Sequence, residues 1–159
     1  MSSQNLERVL PVMKVMEQVE RTIANFYEVC AETFPLNREF WERLVEEETG
    51  HAEAVKELMR AAMENPDMCA IGDSSPLEAL ESFTARVNTN FEQLRMGHLS
   101  EEKALLVAYL MENTFIEGKY AEIIKLKDTY RAKMFAKLSS DSIEHRNRVL
   151  KKMRERKNK

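Results

Sequence analysis

Glu48-Thr49-Gly50-His51 lies within an apolar stripe of helical period, and this placement constrains the chain more than any other feature. Trp41, Leu44, Glu48, His51, Val55, Leu58 and Ala62 recur at spacings of three and four, so they share one helix face. A helix turns about 100° per residue, which sets Glu48 and His51 about 60° apart. A carboxylate and an imidazole among large apolar side chains must be paired, neutralised or bound to metal. Any fold for this chain has to bring partners to them from other elements.

The rest of the sequence supplies helices to do so. Ala, Leu, Met, Glu, Lys and Arg dominate, Gly and Pro number four each in 159 residues, and β-branched runs are absent. This composition predicts a single all-α domain spanning residues 1–159. The first long helix is expected from about Val9 to Phe34, with Pro11 in its first turn. Its inward seam is Met13, Met16, Glu20, Ile23, Tyr27, Cys30 and Phe34. Pro35-Leu36-Asn37 breaks it, and Asn37 can cap a second helix from about Arg38 to Glu64. A non-helical stretch from Asn65 to Ser75 ends in Ser75-Pro76-Leu77-Glu78, which reads as a capping box. It opens a crossover helix from Pro76 to about Met96, with Leu77, Leu80, Phe83, Val87, Phe91 and Leu94 inward. Gly97-His98-Leu99-Ser100 separates this from a third long helix, about Glu101 to Lys127. After a break at Asp128-Thr129, the fourth is expected from about Tyr130 to Arg156, with frayed last turns from about 150. Short connections within the first and last pairs and one long crossover between them predict the ferritin-like four-helix arrangement.

Charge and cysteine content exclude several classes. A formal net charge of −3 provides no global field for nucleic acid. From Arg146 onward there are eight basic residues and one acidic one, read as a solvated helix end that suits the C-terminal dipole. Cys30 and Cys69 are too far apart for a CxxC metal or redox motif. With no signal peptide and no run of about 18 apolar residues, a cytoplasmic protein off the membrane is expected.

Each long helix offers polar residues on its inward face. The first offers Glu20, with Tyr27 two turns on and placed to hydrogen-bond a ligand from another helix. The second offers Glu48 and His51, while Glu46, Glu47 and Glu53 read as solvated. The third offers Glu112 on a face with Tyr109, Ile116 and Ile123, as the bridging carboxylate opposite Glu20; Glu117 points outward. The fourth offers His145 on the stripe Phe135, Leu138, Ser142, His145, Val149. Ser142 stands where a Glu three residues before His145 would complete a second Glu-x-x-His pair, and Asp141 is the nearest carboxylate able to reach in. Glu and neutral imidazole together suit iron, with manganese or zinc also accepted.

On Glu20 with Tyr27, Glu48-Thr49-Gly50-His51-Ala52, Glu112 and His145, the chain resembles the rubrerythrin-like branch of the ferritin-like superfamily over about Val12 to Met153. The resemblance implies two irons held by Glu20, Glu48, His51, Glu112 and His145, and oxidation of ferrous iron by peroxide or dioxygen. It also implies an external electron donor, because the rubredoxin domain of many members is lacking, and a homodimer. Two departures stand out: Ser142 in place of a carboxylate, and Phe115 where a further Glu is expected one turn past Glu112. They leave open a non-enzymatic metal-binding or interaction bundle with a degenerate site.

Overall fold

Helix α1 occupies Ser2–Thr33 and buries two adjoining lines of residues instead of one seam. Met13, Met16, Glu20, Ile23, Tyr27 and Cys30 form the first line, and Val9, Val12, Val19 and Phe26 widen it. The width follows from the packing, since α1 lies against both α2 (Arg38–Glu64) and α3 (Leu77–Arg95). The computed structural model describes residues 2–72, 77–114 and 120–157. Its remaining helices are α4 (Glu101–Glu112), the short α5 (Tyr120–Ile123) and α6 (Thr129–Lys157). Among the described residues the architecture is all-α apart from one small strand pair. Helix α6 packs on α4 and α2, and Trp41, Tyr27 and Leu105 are among the largest fully buried side chains of the core. No helix among the described residues is long and apolar enough to cross a membrane.

Several boundaries differ from expectation. Pro11 lies inside α1 and not in its first turn. The extra turns before it are held by tertiary contacts: Val9 is fully buried, and the Asn5 amide donates to the carbonyls of Pro66 and Cys69. Asn37 does not cap α2 through its side chain; its amide donates to Glu101 Oε1 at 2.7 Å and ties the first helical connection to α4. The third long helix ends at Glu112 and does not run to Lys127. Ile124–Leu126 instead forms strand β2, antiparallel to β1 (Cys69–Ile71), with Cys69 opposite Leu126 and Ile71 opposite Ile124. This pairing satisfies the backbone of the long connection, and Gly72 N and Lys127 N extend it to Ile123 O and Met68 O, both at 2.8 Å. The helix end at 150–157 is anchored and not frayed, since Arg156 pairs with Glu101 and the Lys152 ammonium lies 5.5 Å from the Phe40 ring.

Other local signals act as read. Gly97 adopts φ +74°, and the bonds from His98 N to Gln93 O and from Gly97 N to Leu94 O close α3 with a Schellman turn. Ser100 Oγ accepts from Lys103 N at the start of α4, and Asp128 Oδ1 accepts from Tyr130 N and Arg131 N at the start of α6. The expected capping box at Ser75-Pro76, and the readings of Phe115, Ile116 and Glu117, fall outside the described residues.

Candidate metal centre

The α2 stripe carries Glu48 and His51 inward between Leu44 and Val55, and the α6 stripe carries His145 between Leu138 and Val149. Glu20 enters from α1 and Glu112 from the last turn of α4. All five are buried, with relative exposures of 5 % or less. Glu48 stands at the middle of the group. Its Oε2 is 3.1 Å from His51 Nδ1, and its Oε1 is 2.6 Å from His145 Nδ1. Glu20 Oε2 approaches His51 Nδ1 at 3.8 Å, and Glu112 Oε2 approaches His145 Nδ1 at 3.6 Å. The two imidazole rings stack, with centroids 5.3 Å apart and planes 16° from parallel. Glu48 thus turns one oxygen toward each imidazole, whereas Glu20 approaches His51 and Glu112 approaches His145.

Glu20 Oε2, Glu48 Oε1, Glu112 Oε2 and His145 Nδ1 are buried without a hydrogen-bond partner. Glu48 Oε1 and His145 Nδ1 are close, but they are not aligned as donor and acceptor. Unsatisfied buried polar atoms are rare in folded proteins and each calls for an explanation. Here they converge, and one ligand atom from each of Glu48, His51 and His145 lies within 4.8 Å of the others. Two ligands on one divalent ion, with bonds of about 2.1 Å, have donor atoms about 3–4 Å apart. The Glu48, His51 and His145 atoms could therefore hold a metal ion, and a donor set of Glu oxygens and imidazole nitrogens suits iron, manganese or zinc.

Beyond this inner group lies an outer one. His145 Nε2 faces Glu47 Oε2 at 3.1 Å, and Glu47 is also held by the Arg148 guanidinium. His51 Nε2 faces Asp141 Oδ2 at 3.4 Å, and Asp141 also accepts from Lys137 Nζ at 2.8 Å. Each histidine thus turns Nδ1 inward and has a carboxylate on its outer nitrogen, backed by a cation. This arrangement fixes the tautomer and the ring plane of a metal-binding imidazole. Tyr27 does the same for Glu112, its hydroxyl donating to Oε1 at 2.6 Å.

Electrostatics follow from this geometry. Burial alone would lower the histidine pKa values, but the adjacent carboxylates outweigh it. Glu20 and Glu48 raise His51 to about 11, and Glu112 and Glu48 raise His145 to about 9. Burial, reinforced by the Glu48 charge, pushes Glu112 up. Burial opposes ionisation of Glu47 and Asp141 too, but Arg148 and His145 hold Glu47 below its ordinary value, and Lys137 and His51 do so for Asp141.

The expected site residues thus separate into groups. Glu20, Glu48, His51, Glu112 and His145 come together, with Tyr27 on Glu112. Ser142 is buried, but its hydroxyl donates back to Leu138 O at 3.1 Å and supplies no inner oxygen. Asp141 reaches the outer nitrogen of His51, not the inner group. Glu47 is not a solvated residue: it touches His145 and Arg148. It lies about 100° round the helix from Glu48, off the apolar stripe, so face assignment misses it. The i,i+4 spacing of Lys137 and Asp141 was the available signal for the other outer pair. No family model matches the chain, and neither a curated protein nor a solved structure does.

Proposed function

We propose that the chain is a non-haem di-iron protein of rubrerythrin type, built as a ferritin-like four-helix bundle, which oxidises ferrous iron with peroxide or dioxygen. The observation that supports this most is the division of the Glu48 carboxylate between two imidazoles, each flanked by a further buried carboxylate whose inner oxygen is unpartnered. A hydrophobic core has no use for this set, since an uncompensated buried carboxylate costs several kcal/mol. Iron, when bound, supplies the electrons that reduction of peroxide or dioxygen consumes. The protein's own groups prepare the site. Glu47 and Asp141 stand against the outer histidine nitrogens and leave each Nδ1 turned toward the inner group. Tyr27 holds one oxygen of Glu112 and leaves the other facing inward. Three buried carboxylates offset three of the four charges of two ferrous ions, leaving room for an anionic oxidant.

Anaerobic titration of the metal-free protein with ferrous iron, followed by addition of peroxide, tests this reading. Two equivalents bound per chain and rapid conversion to the ferric state are expected, with Glu48→Gln binding little iron. Iron bound but unreactive toward peroxide would favour the second reading, a metal-sequestering bundle with a degenerate site. The Ser142 hydroxyl, tied to Leu138 O where a fourth carboxylate would stand, supports that alternative. Failure to bind iron, manganese or zinc would remove both.

A further inference from the structure

We propose that Tyr27 and Trp41 form a one-electron relay between the metal centre and the protein surface beside Phe40 and Lys152. The relay rests on the redox reading above, since Glu20, Glu48 and His145 are at most 1 % exposed and an external donor cannot touch them. Electrons must cross the protein wall, and a line of rings crosses it here. The Tyr27 hydroxyl is bonded to Glu112, and its ring centroid is 5.8 Å from that of Trp41. The Phe40 ring lies 5.0 Å beyond Trp41, half-buried, with the Lys152 ammonium 5.5 Å from it.

Aromatic packing alone is common in a core, and a buried phenol or indole needs only some acceptor, for which a backbone carbonyl suffices. In this line both acceptors are carboxylates. Tyr27 donates to Glu112 Oε1 at 2.6 Å, and Trp41 Nε1 donates to Glu101 Oε1 at 3.4 Å. A carboxylate can take the proton that an oxidised phenol or indole releases, which makes neutral radicals accessible at both rings. Phe40 and Phe34, the other rings against Trp41, have no proton to lose and serve only as its packing.

The steps balance as follows. Peroxide reduced at the centre is the oxidant, and an external one-electron carrier is the reductant. Tyr27 gives up one electron toward the centre while its hydroxyl proton passes to Glu112, leaving a neutral tyrosyl radical. Trp41 returns one electron to Tyr27; the proton comes back from Glu112, and the indole proton passes to Glu101. The carrier reduces the Trp41 radical, and Glu101 returns its proton. The net transfer is one electron from the carrier to the centre, and two such cycles reduce one peroxide with two protons drawn from solvent.

A light-driven experiment on the metal-free protein tests the coupling without relying on turnover. Cys30 and Cys69 are both buried, so a ruthenium polypyridyl label can be attached selectively to Lys152→Cys. Flash excitation with persulfate as irreversible electron acceptor then generates an oxidant beside Phe40. Transient absorption is expected to read an indolyl radical that gives way to a tyrosyl radical. Tyr27→Phe should retain the first signal and lose the second, and Trp41→Phe should lose the tyrosyl signal. Both substitutions keep a ring in place, and unchanged far-ultraviolet circular dichroism checks that they do. An undiminished tyrosyl signal in either variant, or none in the parent, overturns the relay. Because the flash needs no metal, the two proposals fail separately: bound iron with no light-driven tyrosyl radical removes the relay alone, and light-driven transfer in a chain that binds no iron removes the redox function.

Discussion

Raising the pH should destabilise the metal-free protein and leave the metal-loaded protein nearly unchanged. His51 and His145 are raised to about 11 and about 9, from an ordinary value of 6.5. A group with a raised folded pKa contributes stability that is complete below its unfolded pKa and is lost as pH rises through the folded value. Between about pH 7 and 8.5 the unfolded chain has released both imidazole protons while the folded metal-free chain retains them. The native state then binds two more protons than the unfolded state, and unfolding free energy falls by at most roughly 3 kcal/mol per pH unit. Bound metal replaces both protons, so its slope over the same window should be close to zero. The same two protons are released on binding, and metal affinity should therefore rise by about two powers of ten per pH unit. Urea unfolding between pH 7 and 8.5, in chelator and in saturating zinc, measures both slopes. A flat metal-free profile would mean that the imidazoles are already neutral in the fold, and the charge assignment at the centre would be wrong.

Glu47→Ala and Asp141→Ala, which remove the carboxylates facing His145 Nε2 and His51 Nε2, should weaken metal binding about 10–100-fold without changing stoichiometry. Exposed Glu46→Ala is the control, and equal affinities for all three in a competition titration would show that the outer carboxylates have no role. Ser142→Glu should restore a Glu-x-x-His pair on α6, tighten the second metal position and lower the melting temperature of the metal-free protein, as read by titration and thermal unfolding; unchanged affinity would show that α6 needs only His145. Gly72→Ala should destabilise by about 1–3 kcal/mol in urea unfolding, because its Cβ would stand 2.2 Å from Glu122 O where the strand pair begins. An unaffected midpoint would mean that the β1–β2 pairing gives way at no cost.

The inward faces were legible because helical period is a strong signal wherever apolar residues dominate. Every residue of the stripe from Trp41 to Ala62 is buried, as is every residue of Phe135, Leu138, Ser142, His145 and Val149. Polar residues inside those stripes could be picked out for that reason alone. What lay off the stripes was not legible. Glu47 looks like its exposed neighbour Glu46 until α6 brings Arg148 and His145 against it. The strand at Ile124–Leu126 continues a pattern that suits a helix, and only pairing with Cys69–Ile71, more than fifty residues away, decides otherwise. Pro11 likewise marks a helix start by local rules, and distant contacts of Asn5 override it.

Protons and a metal ion would compete for the same inner atoms, and the charge pattern makes either occupant workable. In the metal-free fold two imidazolium ions, held by the adjacent carboxylates, face Glu20, Glu48 and Glu112. Outside them, Glu47 with Arg148 and Asp141 with Lys137 are each neutral as pairs. The core can therefore close before any ion arrives, unlike a small zinc domain that is unfolded without its metal. Entry of a divalent ion must then displace protons from Nδ1, and the outer carboxylates keep Nε2 as the donor, so that the vacated Nδ1 is already aimed at the ion. Folding would be carried by the apolar stripes and by protons, and metal binding would be a later exchange at a preformed centre. A cooperative, metal-independent unfolding transition at pH 6.5, with the same helical content in chelator as in zinc, is what this separation requires; a chain that loses its helices in chelator at that pH would tie folding to the metal.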